Sequence, residues 1–235
     1  MIDRLLAYIA PHHCYGCDTL GDPLCNNCQF NIISESPTTC IICKKPSMRG
    51  VCSSCSKAPF SQAWVVGERS GELEKLIDDF KFHRVKRALW VAAQLLDHTL
   101  PHFNSPVHIV PIPTIPKHIR LRGYDHMLMI ATYLTKNKHI SVCRMLERKD
   151  FSVQVGASKA TRKLQAKSAF VTRKQCDQTI PHLIIDDIVT TGATLTYAAK
   201  TLRQKGIQAI WVAALARSVD TPSSGNSTIS HNNIK

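Results

Sequence analysis

Eight of the ten cysteines in this 235-residue chain form four Cys-x2-Cys pairs near the N-terminus. A Cys-x2-Cys turn presents two thiolates to one ion, and two such turns complete a tetrahedral four-cysteine zinc site. Four turns therefore predict two structural zinc sites. Sequential pairing of neighbouring turns is the simplest arrangement, and cross-bracing of the first turn with the third is the alternative. The predicted ligands are Cys14, Cys17, Cys25, Cys28, Cys40, Cys43, Cys52 and Cys55.

Disulfides, unligated thiols and an iron–sulfur cluster are the other states open to these cysteines. Regularly spaced pairs in a reducing compartment favour zinc over all three. Closed four-cysteine sites leave no open coordination position, so they predict a structural role in which metal affinity replaces a hydrophobic core. The remaining two cysteines, Cys143 and Cys176, are predicted to stand alone as buried or incidental residues.

A second stretch whose residue types could bind a ligand spans residues 183–195 and reads Leu-Ile-Ile-Asp-Asp-Ile-Val-Thr-Thr-Gly-Ala-Thr-Leu. Its apolar start predicts a buried strand, which meets two carboxylates, Asp186 and Asp187, and then a turn leading into a helix. Backbone N–H groups of such a turn bind anions, while adjacent carboxylates accept hydrogen bonds from a diol. Together they predict a ribose 5-phosphate site at the carboxyl end of a parallel strand. The alternative is that the carboxylates only cap the helix.

Hydrophobic periodicity supplies the elements that would position these residues. Apolar strands alternating with helices predict an α/β domain with a parallel sheet flanked by helices. Strands are predicted at 107–110, 142–146, 183–185 and 207–215, and helices at 72–99 (one or two), 127–134 and 195–205. We expect a cysteine module over 1–60, an α/β domain over 61–218 and a disordered tail over 219–235, with a long mobile loop at 150–167.

The charge balance of the chain restricts its ligands. The net charge is +13, and residues 117–174 carry 14 basic side chains against three acidic ones, which gives +11. Such a field favours phosphates, pyrophosphate or nucleic acid. The longest apolar run, Ala209 to Ala216, is too short for a membrane helix, and no secretory signal is recognisable, so we expect a cytoplasmic protein. The chain also lacks the P-loop and G-x-G-x-x-G motifs.

Residues 183–195 closely resemble the PRPP-binding motif of type I phosphoribosyltransferases (PRPP is 5-phosphoribosyl 1-pyrophosphate). Combined with the cysteine module, they resemble the ComF family over roughly residues 14–217. The segment from Val110-Pro111-Ile112-Pro113 to Arg120–His126 and the segment Arg148–Phe170 also resemble family motifs. Asp125-His126 departs from the usual Asn-Gln, and Gln165 from the usual Asn.

The resemblance implies a type I phosphoribosyltransferase fold and a role for each motif residue. Asp186 and Asp187 are expected to bind the ribose hydroxyls, with Mg²⁺ held largely by pyrophosphate and ribose oxygens. The 5′-phosphate is expected in the turn formed by Thr190, Thr191, Gly192, Ala193 and Thr194. The expected cations near pyrophosphate are Lys117, Arg120 and Arg122, and the 150–167 loop is expected to bring Lys159, Arg162 and Lys163. The candidate catalytic residues are Asp186, Asp187, Lys159 and Arg162.

For function, the resemblance implies a bacterial cytoplasmic protein that handles imported single-stranded DNA during natural transformation. Single-stranded DNA and DNA-uptake machinery at the inner face of the membrane are the implied macromolecular partners. Two alternatives remain: an active PRPP-dependent phosphoribosyltransferase of nucleotide metabolism, and a regulator that senses PRPP or a nucleotide without turnover. Related enzymes that recognise 6-oxopurines carry Asp where Thr190 stands, so this chain lacks that candidate general base.

Overall fold

The computed structural model describes residues 12–136, 139–148, 170–172 and 176–219. The strands in these ranges are β1 (His12–His13), β2 (Leu20–Gly21), β3 (Gln62–Glu68), β4 (Val107–Pro111), β5 (Ile140–Val142), β6 (Leu146–Arg148), β7 (Phe170–Thr172), β8 (His182–Val189) and β9 (Ile210–Arg217). The α-helices are α1 (Asn26–Ser34), α2 (Gly71–Asp78), α3 (Lys86–Thr99), α4 (Pro116–Arg122), α5 (His126–Leu134) and α6 (Ala193–Arg203).

Within these ranges, five strands form one parallel sheet in the order β3-β9-β8-β4-β5. Strand β8 lies in the middle, with Ile184 opposite Val110 of β4 and Val212 of β9. The predicted α/β class with a parallel sheet flanked by helices is confirmed. Parallel strands need crossover connections, and their carboxyl ends share one edge, where α/β folds place ligands.

The sheet is buried on both faces because its central strands are continuously apolar. Leu183 and Ile185 face the cluster formed with α2, α3 and α5. Ile184 points the other way, into the cluster formed with α6 and the cysteine module. This alternation is the two-residue period of an extended strand, and it holds β8 rigidly between two cores.

The structure corrects the predicted strand at 142–146. Strand β5 ends at Val142, where it pairs with Ile109, and β6 begins only at Leu146 as part of an antiparallel pair with β7. Cys143 and Met145 are buried without belonging to either strand. Burial, and not strand pairing, accounts for their hydrophobicity.

Strand β3 and helix α4 are among the elements that were not predicted. Strand β3 is an edge strand whose short apolar run follows directly on the cysteine module. Helix α4 begins at Pro116, which suits the first turn of a helix because proline lacks an N–H and has a fixed φ. It ends at Arg122, and the following residue, Gly123, has a φ of +86°, in the left-handed region that favours glycine.

A π-helical turn, Asp79–His83, continues α2. Phe80 is fully buried within it, and the turn ends at Arg84 with a φ of +61°. Single π turns often occur at functional sites because they redirect one side chain out of the helical register. Here Lys81 leaves the turn towards the carboxyl end of β8, where it meets Asp187.

The cysteine module packs directly on the sheet domain. Its first half is joined to the domain by hydrogen bonds from Tyr15 to Asp79 and from Arg87 to Asp22. In the second half, the main chain at Gly50 is so close to β3 that a Cβ there would lie 2.1 Å from the carbonyl oxygen of Ala63. The module is therefore held against two sides of the domain.

The predicted loop at 150–167 lies outside the described residues, as does nearly all of the predicted tail at 219–235. The domain boundaries at residues 60 and 218 stay predictions. In the part of the chain that the structure describes, no helix is both long and apolar enough to span a membrane.

Candidate ligand site and cysteine clusters

The eight module cysteines form two clusters among the described residues. In each cluster the four sulfur atoms lie within 4.8 Å of one another, and each cluster combines two neighbouring turns. This arrangement follows the sequential pairing and not the cross-braced one. The first cluster is Cys14, Cys17, Cys25 and Cys28, and the second is Cys40, Cys43, Cys52 and Cys55.

The electrostatics of the clusters suit a divalent cation. Burial alone would raise the pKa of Cys14, but backbone N–H groups aimed at its sulfur outweigh burial and lower the pKa to about 6. Cys40 in the second cluster is affected in the same way, to about 6. The pKa of Cys28 is raised by burial and by the neighbouring sulfurs. Each site thus favours the thiolate form of some cysteines and holds these negative charges close together. A bound cation would relieve the repulsion between them.

Cys143 and Cys176 do not stand alone, contrary to the prediction. The structure joins them in a disulfide across 33 residues of sequence. Sequence reasoning missed the pair because the contact depends on the sheet. Strand β5 delivers Cys143 beside the segment that carries Cys176 into β8.

The predicted phosphate turn connects β8 to α6. Gly192, with a φ of +70°, stands at the start of α6, and its carbonyl oxygen accepts the first helical hydrogen bond from Thr196. Thr191 Oγ1 accepts a hydrogen bond from the N–H of Ala193 at 3.4 Å. Thr190 is exposed. The turn therefore presents hydroxyls and helix N-terminal N–H groups beside the strand-end carboxylates, as an anion site requires.

Asp186 is buried, with 8% of its surface exposed, and accepts a hydrogen bond from the backbone N–H of Asp187 at 2.9 Å. Burial, followed by the negative charge of Asp187, raises the pKa of Asp186 to about 7. Arg148 and Lys81 oppose that rise without cancelling it. The two adjacent carboxyl groups are therefore not equivalent: Asp186 titrates near neutral pH.

Asp187 is held in its ionised form by two neighbours. Its Oδ2 atom lies 2.7 Å from Lys81 Nζ and 2.7 Å from His126 Nε2. Burial would raise the pKa of Asp187, but the His126 hydrogen bond and the Lys81 charge outweigh it and hold the pKa below its ordinary value. Both contacts use the same oxygen atom.

A hydrogen-bond network fixes the orientation of His126. Arg122 donates to His126 Nδ1 at 2.9 Å, so the ring hydrogen is on Nε2 and is donated to Asp187. The preceding residue, Asp125, caps α5 by accepting from the N–H of Leu128 and also accepts from Thr114 Oγ1. Asp125-His126, the departure from the family pattern, therefore has structural roles in this chain.

These groups line a cleft of about 280 Å³ at the carboxyl edge of the sheet. Two carboxylates lie on one side, with basic groups from three separate parts of the chain around them. Arg148 also donates from Nε to the carbonyl oxygen of Pro113 at 2.9 Å, which directs its side chain across the loop after β4. The polar and charged lining residues are Lys81, Thr114, His118, Arg122, His126, Arg148, Asp186 and Asp187.

The structure brings together only some of the predicted site residues. Asp186, Asp187 and Arg122 line the cleft, whereas Lys117 and Arg120 are exposed on α4 and do not line it. Lys159, Arg162 and Lys163 lie outside the described residues, so their roles stay predictions.

Sequence reasoning missed Lys81 and the contact made by His126. Lys81 lies 106 positions before Asp187, in a turn with no recognisable binding motif, so no local signal could have identified it. His126 was visible only as a departure from a motif.

Comparisons with known proteins find two curated relatives that span most of this chain. No protein-family model matches this chain. Competence protein ComFC of Bacillus subtilis (strain 168) is 24% identical over 196 residues, which cover 79% of this chain and 80% of the relative. Competence protein F of Haemophilus influenzae is 27% identical over 222 residues, which cover 87% of this chain and 95% of the relative.

Among solved structures, a hypoxanthine phosphoribosyltransferase from Staphylococcus aureus matches 63% of this chain and 74% of its own. Its sequence identity is 14% and its TM-score is 0.34, a likeness too distant to support an inference. The sequence relatives are the stronger finding because both span most of the chain. Two competence proteins, matched over most of their lengths, together with two N-terminal four-cysteine clusters, support the predicted resemblance of this chain to the ComF family.

Proposed function

We propose that this chain is a cytoplasmic competence protein that binds PRPP or a related ribose 5-phosphate in the cleft and handles imported single-stranded DNA during natural transformation. The observation that carries the ligand proposal is the pair Asp186–Asp187, which lies near the carboxyl end of β8 in a cleft also lined by Lys81, Arg122 and Arg148. Paired carboxylates suit a sugar diol, and the surrounding cations suit pyrophosphate.

In this proposal each part of the ligand meets a different element. The ribose 2′- and 3′-hydroxyls donate to Asp186 and Asp187, and the Oδ1 atom of Asp187 is directed to the diol while Oδ2 keeps its contacts with Lys81 and His126. The 5′-phosphate binds to the turn from Thr190 to Thr194, at the N-terminus of α6. The pyrophosphate lies against Lys81, Arg122 and Arg148.

Zinc and magnesium have separate parts in the proposal. The two four-cysteine clusters hold structural zinc because tetrahedral thiolate sites are typical of that ion. Pyrophosphate and ribose oxygens provide the ligands that Mg²⁺ prefers, and when bound the ion would neutralise pyrophosphate charge. The chain itself orients the ribose, and its basic side chains surround the pyrophosphate group that would depart.

A pyrophosphate-release assay distinguishes a binding protein from a transferase. Thr190 stands where oxopurine-recognising enzymes carry Asp, so the chain lacks that candidate general base for a nucleobase. We therefore expect PRPP binding without release of pyrophosphate above the rate of the free compound when purine and pyrimidine bases are offered. Release that depends on one base, and is lost in Asp187→Asn, would establish the transferase alternative.

Handling of single-stranded DNA is supported by the competence names of the two relatives and by the basic segment 117–174. DNA-uptake proteins at the inner face of the membrane are the partners that this role requires. The net charge of +11 over 58 residues is large enough for contacts to several phosphates. Since the segment has few aromatic residues, we propose recognition of the backbone and not of bases.

Single-stranded DNA is expected to bind with little sequence preference and with a steep dependence on salt. On a single strand, log K falls with log salt by about 0.7 for each phosphate neutralised. Replacing Lys159, Arg162 and Lys163 by Ala should lower affinity for all sequences and reduce that slope by about 2. Fluorescence anisotropy with labelled oligonucleotides at several salt concentrations measures both quantities.

A matched variant removes the same charge elsewhere. Lys75, Lys200 and Lys205 are exposed and lie outside the basic segment. Their replacement by Ala should leave the salt slope nearly unchanged. Equal effects of the two triple variants would show that binding depends on net charge alone and would contradict a DNA site in the segment.

PRPP affinity is expected to rise with pH between 6 and 8. Because burial raises the pKa of Asp186 to about 7, its carboxylate form is lost below neutral pH. At pH 6 about one tenth of Asp186 is ionised, so affinity should be about tenfold below its plateau. The effect on folding stability has the opposite sign. The pKa of Asp186 is higher in the folded protein than in the unfolded chain, so its contribution to stability is fully present below the unfolded-state pKa. This contribution is lost as the pH rises through about 7.

Calorimetry of PRPP binding at a series of pH values tests the affinity change. PRPP itself titrates in this range, so the Asp186→Asn variant provides the reference. Its affinity should be lower and should keep only the pH dependence of the ligand. Parallel pH profiles for the wild type and Asp186→Asn would exclude Asp186 as the titrating group.

A further inference from the structure

A third group of possible metal ligands lies away from the module and from the ligand cleft. The two sulfurs of Cys143 and Cys176 and one ring nitrogen of His182 lie within 4.8 Å of one another. His182 opens β8, whereas Asp186 and Asp187 follow four and five positions later, which corresponds to about 13 Å or more along an extended strand. The cluster is therefore a separate location on the same strand.

The sheet determines the position of the two cysteines. Cys143 directly follows β5, is 3% exposed, and donates its backbone N–H to the carbonyl oxygen of Ile109 at 2.8 Å. Cys176 lies in the segment that leads into β8 and is partly buried. Cys143 is thus anchored in the core, whereas Cys176 is only partly buried, so an ion or a reductant can approach the pair from its side.

The hydrogen bonding of His182 matches that of a metal-binding histidine. Its ring is fully buried, and its Nδ1 atom lies 2.8 Å from the carbonyl oxygen of Ile180. A carbonyl can only accept, so Nδ1 carries the hydrogen and Nε2 of the neutral ring carries a lone pair. A ligating histidine typically donates its other ring N–H to such a carbonyl.

The Nε2 atom of His182 is buried and has no hydrogen-bond partner in the described part of the chain. Buried polar atoms without a partner are uncommon, and each calls for an explanation. The ring of His182 packs against the ring of His108, with the two centroids 5.1 Å apart. His108 itself is engaged at Nδ1 by Ser141 Oγ at 2.7 Å.

We propose that Cys143, Cys176 and His182 form a third zinc site, which is available only when the two cysteines are reduced. Two thiolates and one imidazole are a donor set that zinc accepts, and three protein ligands leave one tetrahedral position for water or another ligand. The disulfide seen here is then the oxidised, metal-free state of the same site. This inference does not depend on PRPP or DNA binding.

The redox step balances with a dithiol as the reductant. The dithiol gives two electrons and two protons to the Cys143–Cys176 bond, which becomes two thiols, while the dithiol becomes a disulfide. Zinc then displaces two protons from the thiols as it binds. A small disulfide such as oxidised glutathione reverses the reaction and releases the ion.

The test counts zinc in the full-length protein under two redox conditions. One sample is reduced with a dithiol in the presence of zinc, desalted without air, and analysed by elemental mass spectrometry. A second sample is first treated with oxidised glutathione, at a concentration that leaves zinc bound in the cysteine module. We expect three zinc ions per reduced chain and two per oxidised chain. The Cys143→Ala/Cys176→Ala variant should hold two under both conditions. The same zinc count in reduced wild type and reduced variant would overturn the proposal.

A second measurement needs no variant. Reduced wild-type protein with its module loaded is treated with an alkylating reagent before and after one further equivalent of zinc, and the modified peptides are identified by mass spectrometry. Added zinc should slow alkylation of Cys143 and Cys176 at least tenfold and leave the module cysteines unchanged. Unchanged alkylation of this pair would contradict the site even if the variant failed to fold.

Discussion

Replacing both Asp186 and Asp187 by Asn is expected to weaken PRPP binding by at least about 100-fold. Each carboxylate is assigned a charge-assisted hydrogen bond to a ribose hydroxyl, and losing one such bond costs about 1.5–3 kcal/mol. Two losses together correspond to about 3–6 kcal/mol, and 1.4 kcal/mol is a factor of ten in affinity. Isothermal titration calorimetry at pH 8, where Asp186 is ionised, measures the loss directly.

Controls must separate binding from folding because Asp187 is also the partner of Lys81. Thermal unfolding of the double variant shows whether the fold survives. Asp97→Asn removes a carboxylate from an exposed position on α3 and should leave PRPP affinity unchanged. A folded double variant that binds PRPP as tightly as the wild type would contradict the assignment of these two carboxylates to the ribose hydroxyls.

Loss of zinc from the module is expected to have the largest effect on stability. With Cys143 and Cys176 oxidised, the protein should hold two zinc ions, one in each four-cysteine cluster. Replacing Cys40 and Cys43 by Ser should remove one of them and unfold the second half of the module. Structural zinc contributes on the order of 10 kcal/mol to the folding of such small modules, more than their apolar contacts can replace.

The readouts are elemental analysis and protection of backbone amides from hydrogen exchange. Protection should fall in the second half of the module and along β3, because the main chain at Gly50 packs on Ala63. The Thr38→Ser change, a conservative replacement in the same half of the module, should retain both ions. A cysteine variant with one zinc and full protection would show that the metal is dispensable for this fold.

The sequence was sufficient where the determining interactions are local. The strand, turn and helix around Asp186 follow from an apolar run, a glycine and a helical period within one continuous segment, and the structure has all three. The Cys-x2-Cys spacing likewise predicted two clusters, although it left their pairing open. Proximity of the sulfurs in space was needed to select the sequential pairing.

The sequence was insufficient where the sheet brings distant segments together. Lys81 reaches Asp187 because a π turn ends α2 beside the carboxyl edge of β8, and neither the turn nor that contact has a local signature. The joining of Cys143 to Cys176 has the same origin in strand order. The charges of Lys117 and Arg120 predicted a place near the ligand, but helix α4 directs them to solvent and Arg122 into the cleft.

Calorimetric titration of the zinc-loaded wild-type protein with PRPP, with and without Mg²⁺, tests the central claim most directly. We predict saturable binding at one site per chain, strengthened by Mg²⁺ and competed by both ribose 5-phosphate and pyrophosphate, since each is one part of the same ligand. Absence of binding by PRPP and by both fragments, in folded protein at pH 8, would contradict the assignment of the cleft between Asp187, Lys81 and Arg148.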